Sequence, residues 1–385
     1  MSSSRIVEIL DRLVSFPTIS RDTNLELIAY IQSLLLECGG AITLVPNEEG
    51  TKASLYATIG PARPGGVLLS GHTDVVPVEG QSWSSDPFRL VRRGERLYGR
   101  GTCDMKGFLA CMLAAAETAS TMQLARPLHL AFSYDEEIGC IGVRPLIEAM
   151  REFPILPGAC IVGEPTMLDL VISHKGKVSG RIVCSGHECH SSLAPEGLNA
   201  IHLAAEMVRV LRDMQGNIMI REARDDGFAM PFTTIHVGMI RGGTALNIVP
   251  KECTLEFEIR NVPEDDVAAL LQSLRDKAGD LTQRSRQRFA HAAVTVEILN
   301  SYPGMQTGLD TEVVALVKRL TGRNTTRKVD FGTEGGLFSG RLNLATVVCG
   351  PGDIRDAHKP DESISLDQLA SSERMLHDLL EELAN

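Results

Sequence analysis

Apolar residues recur at helical spacing over 6–14, and Phe16-Pro17-Thr18-Ile19-Ser20 breaks the run. Thr23 or Asn24 is placed to cap a second helix reaching about Glu37, where Gly39-Gly40 stops it. Alternating runs at 42–45, 54–59 and 66–69, each closed by Pro, Gly or Asn, predict strands of one sheet. A helix over 108–119, a strand over 128–133, a helix near 143–151 and a strand over 159–162 follow. Strands and helices in alternation predict an α/β fold: a mainly parallel sheet with helices on both faces.

After Gly163-Glu164-Pro165 the pattern changes. Residues 177–184 alternate as a strand, and 198–212 carry an apolar stripe at helical spacing. Alternation returns at 233–240 and 253–259, around Gly242-Gly243. Residues 263–277 are helical and 292–299 alternate once more. The order β-α-β-β-α-β predicts an α+β domain of ferredoxin-like type. Tyr302-Pro303-Gly304 suits a hinge. Beyond it, a helix over 312–320, a strand over 345–349 and a last helix over 366–383 resume the first texture. The expected organisation is one α/β domain, residues 1–177 and 300–385, interrupted by an inserted α+β domain at 178–299.

At 385 residues the chain is long enough for two cores. Its formal charge is −11 with no basic run to offset it, which argues against nucleic acid or an anionic membrane as partner. No apolar stretch approaches the ~18 residues of a membrane span, and M-S-S-S-R-I-V-E-I-L lacks the apolar core of a signal peptide. The nine cysteines are scattered without a C-x-x-C pair. This predicts reduced thiols in a cytoplasmic protein, with no disulfide framework and no thiolate zinc site. Cys103 could ligate beside Asp104, but a small buried residue is the usual fate of a free cysteine.

The candidate chemistry lies where the predicted strands end. The run at 66–69 leads into S-G-H-T-D-V-V-P-V, with His72 and Asp74 two residues apart and so on one side of an extended chain. Asp104 precedes the helix at 108. The strand at 128–133 ends in Tyr134-Asp135-Glu136-Glu137, and the strand at 159–162 ends in Glu164. Gly350-Pro351-Gly352 leads on to A-H-K-P-D-E, with His358. One charged strand end is ordinarily just solvated, but five in two separated segments point to a shared site. Two imidazoles, several carboxylates and no paired thiolates suit zinc, cobalt or manganese at a hydrolytic centre. A two-metal site needs a bridging carboxylate and about two further ligands per ion. His72, Asp104, Glu137, Glu164 and His358 are the candidates. Glu136 is then left beside the metal as a general base, and Asp74 is left behind His72 to orient its ring.

These segments, with L-Y-G-R-G-T-C-D-M-K-G and G-G-T-A-L-N-I-V-P, resemble the co-catalytic metallohydrolases that include acetylornithine deacetylases, succinyl-diaminopimelate desuccinylases, aminoacylases and carboxypeptidase G. The resemblance covers essentially the whole chain. It implies two divalent ions, zinc in the first place, with cobalt or manganese as alternatives. His72 and Glu164 would hold one, Glu137 and His358 the other, and Asp104 would bridge. It also implies a cis peptide after Asp104 and a homodimer formed through the inserted domain. His190, in G-H-E-C-H-S-S, would reach a partner's active site to hold the scissile carbonyl oxygen, with His187 as competitor and more readily a surface turn residue.

Asn247 and Arg260 are further substrate contacts expected from the inserted domain, with Lys175 as another candidate. In Gly332-Thr333-Glu334-Gly335-Gly336, Thr333 would donate to substrate, while Glu334 is either an amine contact or a first-turn charge. F-G-T-E-G-G-L-F, A-H-K-P-D-E and S-Y-P-G-M are most similar to acetylornithine deacetylases. That implies N-acetylornithine hydrolysis in arginine biosynthesis. Another N-acyl amino acid amidohydrolase, a desuccinylase or a dipeptidase is the alternative. A non-catalytic binding protein on the same fold is a second class of reading, although such a chain would be expected to lose a ligand or the base.

Overall fold

The computed structural model describes residues 3–220 and 224–385, which form two compact units. The first comprises Met1–Ser173, Met305–Lys328 and Thr333–Asn385, and the second His174–Gly304 and Val329–Gly332.

The first unit opens with α1 (Ser3–Val14) and α2 (Leu25–Glu37), then β1 (Ala41–Pro46), β2 (Ala53–Ile59) and β3 (Val67–His72). A short hairpin, β4 (Val91–Arg93) and β5 (Arg96–Tyr98), leads to α3 (Lys106–Ala119). Then come β6 (Leu128–Ser133), α4 (Val143–Arg151), β7 (Ala159–Pro165) and β8 (Leu170–His174). The second unit is built from β9 (Gly176–Ser185), α5 (Ala200–Met219), β10 (Thr234–Gly242), β11 (Glu252–Asn261), α6 (Val267–Arg286) and β12 (Ala293–Tyr302). The chain closes with β13 (Met305–Gln306), α7 (Glu312–Thr321), β14 (Thr326–Val329) and α8 (Gly335–Leu342). Last come β15 (Ala345–Gly350), β16 (Ser363–Ser365) and α9 (Leu366–Ala384).

The large sheet runs β1-β2-β6-β3-β7-β15-β8-β13, with β14 beside β8. Its centre, β6-β3-β7-β15, is parallel. The flanking pairs β1–β2, β2–β6 and β8–β15 are antiparallel. β3 and β6 are buried along their whole length, as strands covered on both faces must be. Helices α1, α2, α3, α7 and α9 pack into one group, and α4 and α8 into another. Two glycines let α3 approach the strand ends. A Cβ on Gly163 would lie 1.8 Å from the Phe108 ring, and one on Gly71 would lie 2.7 Å from Leu109. Because the central strands are parallel, their C-terminal ends gather at one edge of the sheet.

The second unit is an antiparallel sheet, β10-β11-β9-β12, the strand order of a ferredoxin-like fold. Burial alternates strictly along β9, and the buried face packs with α5 and α6. Both helices reach further than the sequence pattern suggests. α6 starts at its cap Asp266, whose side chain accepts from the Ala269 N–H at 3.0 Å. It continues to Arg286 because Ala278 and Leu281 extend the buried stripe among charged neighbours. Among the described residues all nine cysteines are free, and no helix is long and apolar enough to cross a membrane.

Candidate metal centre

His72 is the last residue of β3, and Glu136 and Glu137 follow β6. Glu164 is the penultimate residue of β7, Asp104 lies just before α3, and His358 in the loop between β15 and β16. The parallel register therefore brings together residues from positions 72 to 358. Asp104 is central. Its Oδ1 lies 3.1 Å from His72 Nε2 and its Oδ2 lies 3.2 Å from His358 Nε2. Glu164 Oε1 is 3.8 Å from His72 Nε2, and Glu137 Oε2 is 3.0 Å from His358 Nε2. One carboxylate thus faces two imidazoles, each accompanied by a glutamate. The peptide bond from Asp104 to Met105 is cis, as the family resemblance implies.

Asp74 supports this arrangement from behind. His72 Nδ1 donates to the Asp74 carbonyl at 2.9 Å, which turns Nε2 toward Asp104. The Asp74 carboxylate accepts from the backbone N–H of Glu136 at 3.0 Å, that of Glu137 at 3.3 Å, and the Ser20 hydroxyl at 2.7 Å. The same turn is tied by Asp135, which accepts from the buried Lys52 ammonium at 2.6 Å and from the Arg21 N–H at 2.9 Å.

The electrostatics of the cluster divide its carboxylates. Burial pushes Asp104 up, but hydrogen bonds from His358 and His72 outweigh it and hold Asp104 well below the usual carboxylate range. Asp74 is lowered too, its burial offset by His72 and Ser20. Glu136 is pushed up to about 8 by burial, with further repulsion from Glu137, Asp74 and Glu334. Glu137 is pushed to about 7 by burial and by Asp104, and Glu164 is raised by the same two causes. His358 is raised to about 11 by its hydrogen bonds to Asp104 and Glu137. So much negative charge in one buried place is what a divalent cation offsets. The donor set of two imidazoles and several carboxylates fits zinc, cobalt or manganese. Ligand atoms of His72, Asp104 and Glu137 lie within 4.8 Å of one another, as do those of His72, Glu136 and Glu164.

The remaining expected site residues fall elsewhere. His190 and Asn247 are exposed neighbours in the second unit, where the Ser191 N–H donates to the Asn247 carbonyl at 2.9 Å. His190 Nδ1 accepts from the Ser192 N–H at 3.2 Å, so its ring proton sits on Nε2. His187 is an exposed residue packed 5.5 Å from the Phe289 ring. Arg260, partly buried on β11, pairs with Glu258, Nε to Oε1 at 2.6 Å. Two further candidates are buried among internal partners. Lys175 is fully buried, with its ammonium on Asp330 at 2.9 Å and on the Phe232 carbonyl at 2.9 Å, so it is committed to internal partners. Thr333 is also fully buried, and its hydroxyl accepts from the Gly335 N–H at the start of α8.

Glu334 stands at the N-cap of α8, the helix-terminal position that was one of its two expected roles. Its carboxylate is buried and accepts from the Ser70 hydroxyl at 2.5 Å and the Ser133 hydroxyl at 2.8 Å, tying α8 to β3 and β6. Sequence reasoning also missed Glu362 and Arg100, a buried pair at 2.7 Å behind Asp104. Both lie inside motifs already singled out, G-R-G and A-H-K-P-D-E, and their position there was the available signal. Cys103 is buried with its thiol on the Asp353 carbonyl, a structural residue.

Residues 68–382 match the model of peptidase family M20/M25/M40. The chain belongs to the M20 family. Acetylornithine deacetylase from Photorhabdus laumondii is 33% identical over 382 residues, covering 97% of this chain and 96% of that one. The Myxococcus xanthus protein of the same name is 35% identical over 375 residues, covering 95% and 94%. Among solved structures, an M20 family metallo-carboxypeptidase from Sulfolobus solfataricus superposes with a TM-score of 0.79 at 19% identity, over 98% of this chain and 99% of that one. A Bacillus subtilis M20 peptidase described as dinuclear and metal-binding gives 0.70 at 16% identity, over 99% and 98%. This M20 chain is therefore a hydrolase on the family's α/β fold, with a cluster of imidazoles and carboxylates that could hold metal gathered at the strand ends.

Proposed function

We propose that this M20 hydrolase is a dinuclear deacylase that cleaves N-acetyl-L-ornithine to ornithine and acetate. The observation that carries the two-ion part is Asp104, whose two oxygens face His72 and His358 at 3.1 and 3.2 Å. His72 and Glu164 hold one ion, Glu137 and His358 the other. Zinc is our first choice, and the same donors accept cobalt or manganese. The substrate assignment is supported by full-length relatives named acetylornithine deacetylase.

When bound, the ions supply polarisation of the amide carbonyl and acidification of the attacking water. Glu136 takes a proton from that water and returns it to the leaving amine. Burial raises Glu136 above an ordinary carboxylate, which favours its holding the proton between the two transfers. Asp74 keeps the His72 ring in place and fixes the backbone under Glu136. His190, with its Nε2–H outward, donates to the developing oxyanion, and Asn247 beside it adds a polar contact. In this reading His190 serves a second copy of the chain in a homodimer. Arg260 binds the substrate carboxylate, in competition with Glu258. The setting is cytoplasmic, in arginine biosynthesis.

The test is amine release by zinc- or cobalt-loaded protein from N-acetylornithine, N-succinyl-diaminopimelate, N-acetylmethionine and a dipeptide. Preference for N-acetylornithine, abolished by chelator, is the expected result. Chelator-sensitive preference for another member would discard the substrate and keep the mechanism. No turnover of any member by metal-loaded protein would overturn the acetylornithine reading.

A further inference from the structure

Behind the strand-end residues lies a buried cluster that the proposed reaction does not use. The Glu362 carboxylate is 1% exposed. Its Oε1 accepts two backbone N–H groups, from Cys103 at 2.9 Å and from Asp104 at 3.0 Å. Its Oε2 accepts from Arg100 Nη1 at 2.7 Å. Arg100 is equally buried, and its Nη2 donates to Gln81 Oε1 at 2.5 Å. Gln81 turns its own N–H to the His358 carbonyl at 3.1 Å. An unbroken series of hydrogen bonds therefore joins the backbone of Asp104 to the backbone of His358. The Arg100 guanidinium also lies 4.9 Å from the ring of Trp83, the only tryptophan in the chain.

Two features indicate that this cluster exists for geometry. A buried ion pair is costly to desolvate, so it is a poor source of stability and a good source of fixed position. Arg100 Nε has no hydrogen-bond partner among the described residues, so the guanidinium is aimed by Glu362 and Gln81 at the expense of its own solvation. The loop it serves also needs support. His358 and Asp361 both have positive φ, +61° and +56°, a backbone region that non-glycine residues occupy only when their surroundings hold them there.

We propose that Glu362, Arg100 and Gln81 form a positioning unit that sets the separation of Asp104 and His358. The ion held by Asp104, Glu137 and His358 depends on this unit through both Asp104 and His358, whereas the ion held by His72 and Glu164 shares only the Asp104 carboxylate with it and depends on it less. The inference rests on the two-ion reading above.

The test is zinc titration of the full metal-free chain by calorimetry, with Trp83 emission followed in parallel. Wild type shows two binding events, and His358→Ala identifies which belongs to the His358 ion. Glu362→Gln keeps an oxygen for the two backbone N–H groups but sets an amide NH2 against Arg100. It weakens the His358 event by about 10- to 100-fold, the usual effect of losing an outer-shell partner, and weakens the other event, which shares only Asp104, markedly less. Gln81→Ala spares the Arg100–Glu362 pair and hence the fold, and it weakens the same event by several-fold. If Glu362→Gln does not fold, Gln81→Ala decides alone. Wild-type affinities in the folded variants, or equal weakening of both events, overturn the inference. Fewer than two events in wild type overturn the dinuclear reading, and the inference with it.

Discussion

The strand ends of the first unit and the His190–Asn247 corner of the second show two ways of presenting polar groups. At the strand ends each side chain has several protein partners. Asp104 alone meets His72 and His358 through its side chain and Glu362 through its backbone. His190 and Asn247 are exposed, with hydrogen bonds to Ser192 and Ser191. Groups that must hold fixed geometry are buried and cross-braced, whereas groups that meet a changing ligand stand on an adjustable surface. If that division is functional, damage to the first region should abolish chemistry outright, and damage to the second should weaken it by degrees.

The largest effects belong to the strand ends. Glu136→Gln should retain metal and lose about 10³-fold or more in kcat, at the upper end of what general acid–base groups contribute. A variant that keeps near-wild-type turnover would remove Glu136 as the base. Next comes His190→Ala, which should lower kcat by about 10²-fold, the cost of one oxyanion donor. Its metal content, measured by atomic emission, should not change. Loss of metal in that variant would erase the distinction between the two regions.

A smaller effect, on stability, comes from the bracing. Lys52→Met leaves the Asp135 carboxylate buried without its cation, at a cost of about 3 kcal/mol in denaturant unfolding. An unchanged unfolding midpoint would show that the turn carrying Glu136 and Glu137 does not need this pair.

The subtlest test compares histidines of different surroundings. His129 is buried against the Tyr56 hydroxyl and the Gly65 carbonyl, and burial pushes it down to about 4. Its folded value lies below its unfolded value of about 6.5, so the unfolded chain binds the extra proton. Stability should therefore fall as pH drops from 6.5 toward 4, by about 3 kcal/mol from this residue. His129→Gln should flatten that limb in chelator-treated protein. His174 in the second unit, also lowered to about 4 by burial, predicts a parallel loss there.

His129 and His72 also show what a sequence can and cannot convey. Both lie in apolar strands, but only His72 is followed two residues later by an aspartate, and the surrounding motif marked it as chemical. The strands at 66–69, 128–133 and 159–162 were legible as short apolar runs, as buried parallel strands tend to be, and the structure carries the first and last of them on to His72 and Pro165. β13 and β14 were not legible, being two and four residues long with partners far away in sequence. Glu334 and Glu362 failed to declare themselves for a related reason. A buried carboxylate is defined by its donors, here Ser70, Ser133, Arg100 and two backbone N–H groups, and none is a sequence neighbour. Motif position singled out Thr333 and Lys175 but says nothing of their burial.

The strand order has a consequence for how the protein is made. β15 is laid between β7 and β8, yet it is synthesised after the whole of the intervening unit. On the ribosome, 174–304 emerge as a nearly complete antiparallel sheet with its helices, able to close on itself. The earlier segment must wait with the inner edge of β7 unpaired. That edge, Ala159–Pro165, is apolar up to Glu164 and buried in the finished molecule, and until β15 arrives it is open to pairing with another nascent chain.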